Sequence, residues 1–438
     1  MRLLSAFLLS LLFCLAALAQ SAEHGVLVQD MDRKADPCTN FFDYANGAWR
    51  AQNPIPSYMD RWSRRWQAGE NNKEQLKDIL EPISQKADWP KGSVDQLIGD
   101  YYAACMDEKR VNELGLAPLQ PLLADIDAMK TAADVQRMIE RLHDLGVPAP
   151  FGLTSAQDNH NPTQVIADVY ASGLGLPDRD YYLKPEPRFQ DARAKYRVYV
   201  ANMFKLAGSS EADAKAASDT VFTMETKLAE ASLDNVALRD PKATDHKTTV
   251  AELQKMTPHF DWTSYFTATH LPPDALNVDQ PKFMEEVDRQ LREVSLADWK
   301  TYLKWQLLNS AADSLSAPFV EENFNFYGRY LAGEQEMKPR WKRCAESEDQ
   351  LLGEALGQEY VKKYFPPEAK RRTQEMVKNL LLAMKQTIQG LEWMSPDTKK
   401  KALEKLATFN VKVGYPDKWK DYSRVPIARD SFWADVVA

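Results

Sequence analysis

The sequence predicts a mainly α fold: a large multi-helical lobe with a small β-hairpin addition. Three observations carry that expectation. Long stretches repeat apolar residues at helical spacing behind recognisable caps. Only a few short segments read as strand. Glycine is sparse, at 17 of 438 residues, and no low-complexity tract or fixed-period repeat interrupts the chain. Hydrophobic residues make up 44% and charged residues 27%, an ordinary globular balance.

The elements follow in order. Arg2, an apolar run from Leu3 to Leu18 and Ala17-Leu18-Ala19 have the layout of a signal peptide cleaved after Ala19. The run is short for a bilayer span, which needs about 20 residues. Lipid attachment at Cys14 wants a small preceding residue, and Phe13 stands there. No later segment is apolar enough to cross a membrane, so the mature chain is expected to be exported and soluble. Removing Arg2 takes the formal net charge from −8 to −9, which argues against a nucleic-acid partner held by phosphate contacts. The length left after cleavage suggests two or three domains.

Helices are predicted over 92–107, 131–146, 188–207, 211–233, 297–311, 345–364 and 367–392, with another opening at Ser395-Pro396-Asp397. In the second of these, Thr131 caps the first turn with Asp134 three residues on. Val135, Met138, Ile139, Leu142 and Leu145 share one face, and Gly146 and Pro148 stop it. The aromatic stripe of 297–311 (Trp299, Tyr302) reads as core. Segments 149–155 and 164–171 read as a hairpin around the polar run 158–162. Phe409 to Val413 alternates and reads as a short strand.

Chemistry is harder to find. A catalytic zinc wants three protein ligands and an open position, and HExxH on one helix is a frequent solution. The six histidines are His24, His143, His160, His246, His259 and His270; no two are four apart and none precedes Glu. His259-Phe260-Asp261 reads as a helix start with Asp261 as cap, and His143 as a helix-end cation suited to the dipole. There is no Gly-X-Ser-X-Gly elbow and no phosphate loop. Gly173-Leu174-Gly175-Leu176-Pro177-Asp178 lacks the third glycine of a dinucleotide fingerprint and reads as a loop. Glu285-Glu286 and Glu321-Glu322 read as solvated helix faces. Once Cys14 leaves with the leader, Cys38, Cys105 and Cys344 remain, so at most one disulfide forms within the chain. Asn161-Pro162-Thr163 is blocked for glycosylation by its proline, which favours a bacterial envelope, periplasmic or extracellular.

Several stretches together resemble the neprilysin and endothelin-converting-enzyme family of zinc metallopeptidases. They are Asp36-Pro37-Cys38-Thr39-Asn40-Phe41-Phe42-Asp43-Tyr44-Ala45-Asn46-Gly47-Ala48-Trp49, then Asn53-Pro54-Ile55-Pro56 and Gly173 through Asp178-Arg179-Asp180-Tyr181-Tyr182. Arg239-Asp240-Pro241, Phe260-Asp261-Trp262, the block from Met394 to Leu406 and Val413-Gly414-Tyr415-Pro416 follow in order.

The resemblance implies a two-lobed enzyme whose helical lobe encloses peptides against a zinc-bearing lobe. It assigns 20–35 to an arm, 36–420 to the helical lobe and 421–438 to the start of a truncated zinc lobe. The HExxH motif, a further Glu ligand and an Asn-Ala-aromatic motif would lie beyond Ala438, so this chain alone is expected to hold no zinc and to be non-catalytic. The resemblance pairs Cys105 with Cys344 and gives Cys38 a distant partner. It also places Arg61, in Asp60-Arg61-Trp62-Ser63, where a family arginine binds a peptide's C-terminal carboxylate; Ser63, Arg64, Arg65 and Trp66 depart from the usual continuation. The expected function is the N-terminal part of a secreted zinc endopeptidase acting on peptides. The alternatives are a non-catalytic exported protein binding peptides or a partner, and a two-chain enzyme with a separately encoded zinc lobe.

Overall fold

The structure, a computed structural model, describes residues 27–269 and 274–438. The leader expected at 1–19, with Cys14, and His24 and His270 lie outside the described residues. The chain forms two compact units that divide between Glu70 and Asn71. The architecture is mainly α, with one small sheet among the described residues.

In the first unit, helix α1 (Phe41–Gln52) starts where the Asn40 side chain accepts the Asp43 N–H. Arg64 pairs with Asp30 at 2.6 Å. The same guanidinium lies 5.5 Å from the ring of Trp49, which is buried. Helix α2 (Arg64–Ser84) begins in this unit and ends in the next.

The second unit opens with helix α3 (Val94–Met106), capped by Ser93. Helix α4 (Ala132–Asp144) has a reciprocal capping box between Thr131 and Asp134 and buries Val135, Met138, Ile139 and Leu142. The hairpin follows as β1 (Phe151–Asp158) and β2 (Asn161–Ala171), antiparallel. The expected long polar loop is a tight turn instead, because Asp158 pairs with Asn161. Burial of Asp158 explains this: its carboxylate accepts the His160 N–H at 2.9 Å and Lys247 Nζ at 2.5 Å. The polar run is thereby drawn into the strands.

Helices α5 (Pro187–Leu206) and α6 (Glu211–Ala231) pack together next. Two short strands, β3 (Lys247–Thr248) and β4 (Leu276–Val278), complete a sheet of order β1-β2-β4-β3 in which only β2 and β4 run parallel. Helices α7 (Trp262–Ala268), α8 (Pro281–Glu293) and α9 (Leu296–Ala311) close the larger core over it. Trp299, Tyr302 and Trp305 of α9 are fully buried. Their burial, not their periodicity, dominates this helix, which is apolar on several sides.

Helix α10 (Arg340–Tyr364) starts earlier than predicted and kinks at Leu352. With α3 and the end of α2 it forms a second core, joined by the Cys105–Cys344 disulfide. Helices α11 (Pro367–Gly390) and α12 (Pro396–Ala407) pair with each other and bury no residue fully. The strand predicted at 409–413 is absent: the segment is irregular and no strand among the described residues lies beside it, with Phe409 60% and Val411 42% exposed. Helix α13 (Phe432–Val436) returns to the second core through Phe432.

Candidate functional site

Arg61 lies in the irregular segment before α2. Its Nε and Nη2 donate to Asp60 Oδ2 at 2.9 and 2.6 Å, and its guanidinium sits 5.8 Å from the Trp66 ring centroid. The side chain is 64% exposed. An exposed pair of this kind is weak, because water screens both charges. A ligand carboxylate can therefore take the place of Asp60 at little cost, and the guanidinium fork suits it bidentately.

The string Gly173–Tyr182 is built around a buried carboxylate. Glu225, on α6, is fully buried. It accepts hydrogen bonds from Tyr182 Oη and Tyr196 Oη at 2.7 Å and from Trp305 Nε1 at 3.1 Å. Tyr182 Oη in turn receives the Leu176 N–H at 2.9 Å. The loop carbonyls are held as well: Gly173 accepts from Tyr302 Oη at 2.9 Å and Gly175 from Tyr327 Oη at 2.7 Å. A Cβ on Gly175 would lie 2.0 Å from Tyr196 Oη, so this position needs glycine. Burial raises the Glu225 carboxyl to about 7, against the hydrogen bonds that favour its charged form. Its partners are satisfied inside the core, so the arrangement braces the fold.

A cleft of about 400 Å³ opens beside the disulfide. One wall is a π-helix, Phe324–Ala332, whose Gly328 passes so close to the Phe324 ring that a Cβ would sit 2.4 Å from it. Such helices are frequent at functional sites. Arg340 Nε donates to the Cys105 carbonyl at 2.7 Å, and Lys338 pairs with Glu346 at 3.0 Å. Asp313 and Arg343 also line the cleft. The Asp313 carboxyl is raised by burial, partly offset by Arg343, and Arg343 Nε has no hydrogen-bond partner. No motif announces this cleft, because its charged groups lie on α10 and on the segments between α9 and α10, far apart in the chain.

The described histidines do not converge. His143 Nδ1 meets Tyr265 Oη at 2.7 Å, His160 pairs with Asp245 at 3.1 Å, His246 Nδ1 meets the Val278 carbonyl at 3.1 Å and His259 pairs with Asp288 at 2.8 Å. His143 corrects the helix-end cation expected there: burial lowers its pKa to about 4, so the ring is neutral and packed edge-on against Phe151 and Tyr265. Asp261 does cap α7, accepting the Ser264 N–H. Among the described residues no three His, Cys, Asp or Glu side chains are placed to hold a metal ion, so these residues do not fit a catalytic zinc. Cys38 is an exposed free thiol.

Comparison with known proteins agrees along nearly the whole chain. The sequence model of peptidase family M13 matches residues 37–416. Endothelin-converting enzyme 1 of Rattus norvegicus is 28% identical over 94% of this chain and 56% of its own length. The zinc metalloprotease Zmp1 of Mycobacterium tuberculosis, solved with an inhibitor, superposes with a TM-score of 0.88 at 34% identity, over 94% of this chain and 62% of that one. PepO of Lactobacillus rhamnosis shares the fold, with a TM-score of 0.81 at 21% identity over 64% of its chain. The chain thus spans little more than half the length of the curated relatives it matches.

Proposed function

The chain belongs to peptidase family M13, a family of zinc metallopeptidases, and on that premise we propose that it supplies the helical, substrate-enclosing lobe of an exported zinc endopeptidase acting on peptides. The observation that carries this reading is the agreement with an inhibitor-bound zinc metalloprotease over 94% of the chain. In this reading the zinc and the hydrolytic groups sit on a further lobe, in the same polypeptide or in a separate chain. The residues here do not hydrolyse; they hold the peptide and limit its size. Arg61 receives the peptide's C-terminal carboxylate in exchange for Asp60. Export is supported by the Cys105–Cys344 disulfide and by the apolar leader. No helix among the described residues is long and apolar enough to cross a membrane.

The test is a pair of peptides that differ only at the C-terminus, one a free acid and the other an amide. In the native protein, Arg61→Ala should weaken binding of the acid about 10- to 100-fold, the range expected for a lost charge-assisted hydrogen-bond pair, and leave the amide unchanged. Equal losses for both peptides would remove Arg61 from substrate recognition. A second reading, a non-catalytic exported peptide-binding protein, is favoured by the cleft with its unpartnered Arg343 Nε. It requires saturable binding that Arg343→Ala abolishes.

A further inference from the structure

We propose that Glu348 is a proton-controlled latch in the second core: α10 stays packed on α3 while its carboxyl is neutral, and its ionisation as pH rises opens the second half of α10 about the kink at Leu352. The latch is independent of the peptidase reading. Its starting point is a carboxyl in an apolar place. Cys344, Glu348 and Leu352 follow at i, i+4 and i+8 on the buried face of α10. The first carries the disulfide to α3 and the last is the kink. Between them Glu348 is 0% exposed, and neither of its carboxylate oxygens has a hydrogen-bond partner. A carboxylate stays ionised in such a place only with donors or a counter-charge.

The groups that face it supply neither. From α3, Tyr101 Oη shares a hydrogen bond with Ser347 Oγ at 2.6 Å, and Tyr102 Oη is buried without a partner. Asp349, next to Glu348 on α10, is a second negative charge and opposes its ionisation. Asp435 of α13 acts on Tyr101 and Glu81 of α2 on Tyr102, and both are acidic. Arg343, on the same helix, answers to Asp313 and Glu108 instead. Burial therefore holds the Glu348 carboxyl well above its ordinary 4.5. The closed form binds this proton more tightly than the open one. The latch is thus fully set below pH 4.5 and weakens as pH rises.

The helix has a place to give way. Leu352 leaves helical geometry, with φ −115° and ψ 23°. Gly353 follows, and a Cβ on it would meet only Asp349 Oδ1, at 3.7 Å. Packing does not require glycine there, and its backbone freedom is left for bending. Upstream the disulfide pins α10 to α3. Beyond the kink, Ala355 and Leu356 are buried, and the polar ties to α2 are single hydrogen bonds, Tyr360 Oη to Gln75 at 2.9 Å and Tyr364 Oη to Asp78 at 3.3 Å. Opening is therefore confined to the part of α10 after Glu348.

The experiment compares amide hydrogen exchange, read by mass spectrometry, in the native protein and in Glu348→Gln, whose side chain is neutral at every pH. The two are measured at matched pH from about 5 to 8, which cancels the intrinsic pH dependence of exchange. Opening of 349–364 should grow in wild type relative to the variant by up to about tenfold per pH unit, the limit for one proton released per opening. Amides of α4 should exchange alike in both proteins. A ratio that does not change with pH overturns the proposal. So does a change of equal size in α4, which would make the effect one of global stability. Gly353→Ala is the second arm and serves if Glu348→Gln does not fold. It should slow exchange of 349–364 at pH 8 by about fivefold, the helix-propensity difference between the two residues, and leave α4 unchanged. No slowing, or equal slowing in α4, overturns the hinge. Asp435, whose carboxyl burial raises to about 7, is the competing acid. Asp435→Asn should leave the pH dependence of 349–364 in place, and its loss there would overturn the assignment to Glu348.

Discussion

Glu225 is the residue on which most of the distinctive sequence converges. Its folded pKa is raised from 4.5 to about 7 by burial. The folded state therefore binds this proton more tightly than the unfolded one. The contribution to stability is full below pH 4.5, falls between there and about 7, and is lost above, by up to about 3 kcal/mol for a shift of this size. Glu225→Gln should remove that dependence. Between pH 4.5 and 8 the wild-type denaturation midpoint should fall relative to that of the variant as pH rises. Parallel curves would mean that Glu225 is ionised throughout. Gly175→Ala tests the same knot from its other side. The clash with Tyr196 Oη should cost about 1–3 kcal/mol, read from a urea transition at constant slope.

Neither effect was legible in the sequence. The string Gly173–Tyr182 stood out by resemblance; the reading of Gly173–Asp178 as a loop holds, and Arg179–Leu183 is a short helix. The partner that explains it lies more than forty residues away on α6, where Glu225 looks like any helical glutamate. Arg61 was singled out only by resemblance; its local pairing with Asp60 and its position near Trp66 could not be read from spacing. His143 was misjudged because helix-end position says nothing about burial, and burial decides its charge.

At the scale of elements, helices with a strong cap and a clean apolar face were the easiest to foresee. Helix α4 is the clearest case, because Thr131, Asp134 and the Val135–Leu142 stripe are all local signals. The sheet was only half legible. A hairpin announces itself by adjacency, whereas β3 and β4 are two and three residues long and exist because β2 offers them an edge. The false strand at 409–413 makes the converse point: alternation without a neighbouring strand yields irregular chain. Between α3 and α10 the Cys105–Cys344 bond closes a loop with a sequence separation of 239. Cys344→Ser should lower stability by about 2–5 kcal/mol, mainly through the unfolded chain. Reduced wild type should unfold with the variant; an unchanged midpoint in both would show that the second core holds α3 on α10 without the bond.

For the molecule as a whole, the mainly α architecture and the family were both readable in the sequence, because the matching blocks run in order from the first unit to residue 416. The central claim, that this chain is the enclosing lobe of a zinc endopeptidase, is tested most directly on the native protein isolated from its own cells through this chain. Peptide hydrolysis and zinc content are measured before and after chelation and again after zinc is restored. The account predicts one zinc per chain and cleavage that disappears on chelation and returns with the metal. A native protein that binds peptides yet carries no zinc and cleaves none of them would contradict it.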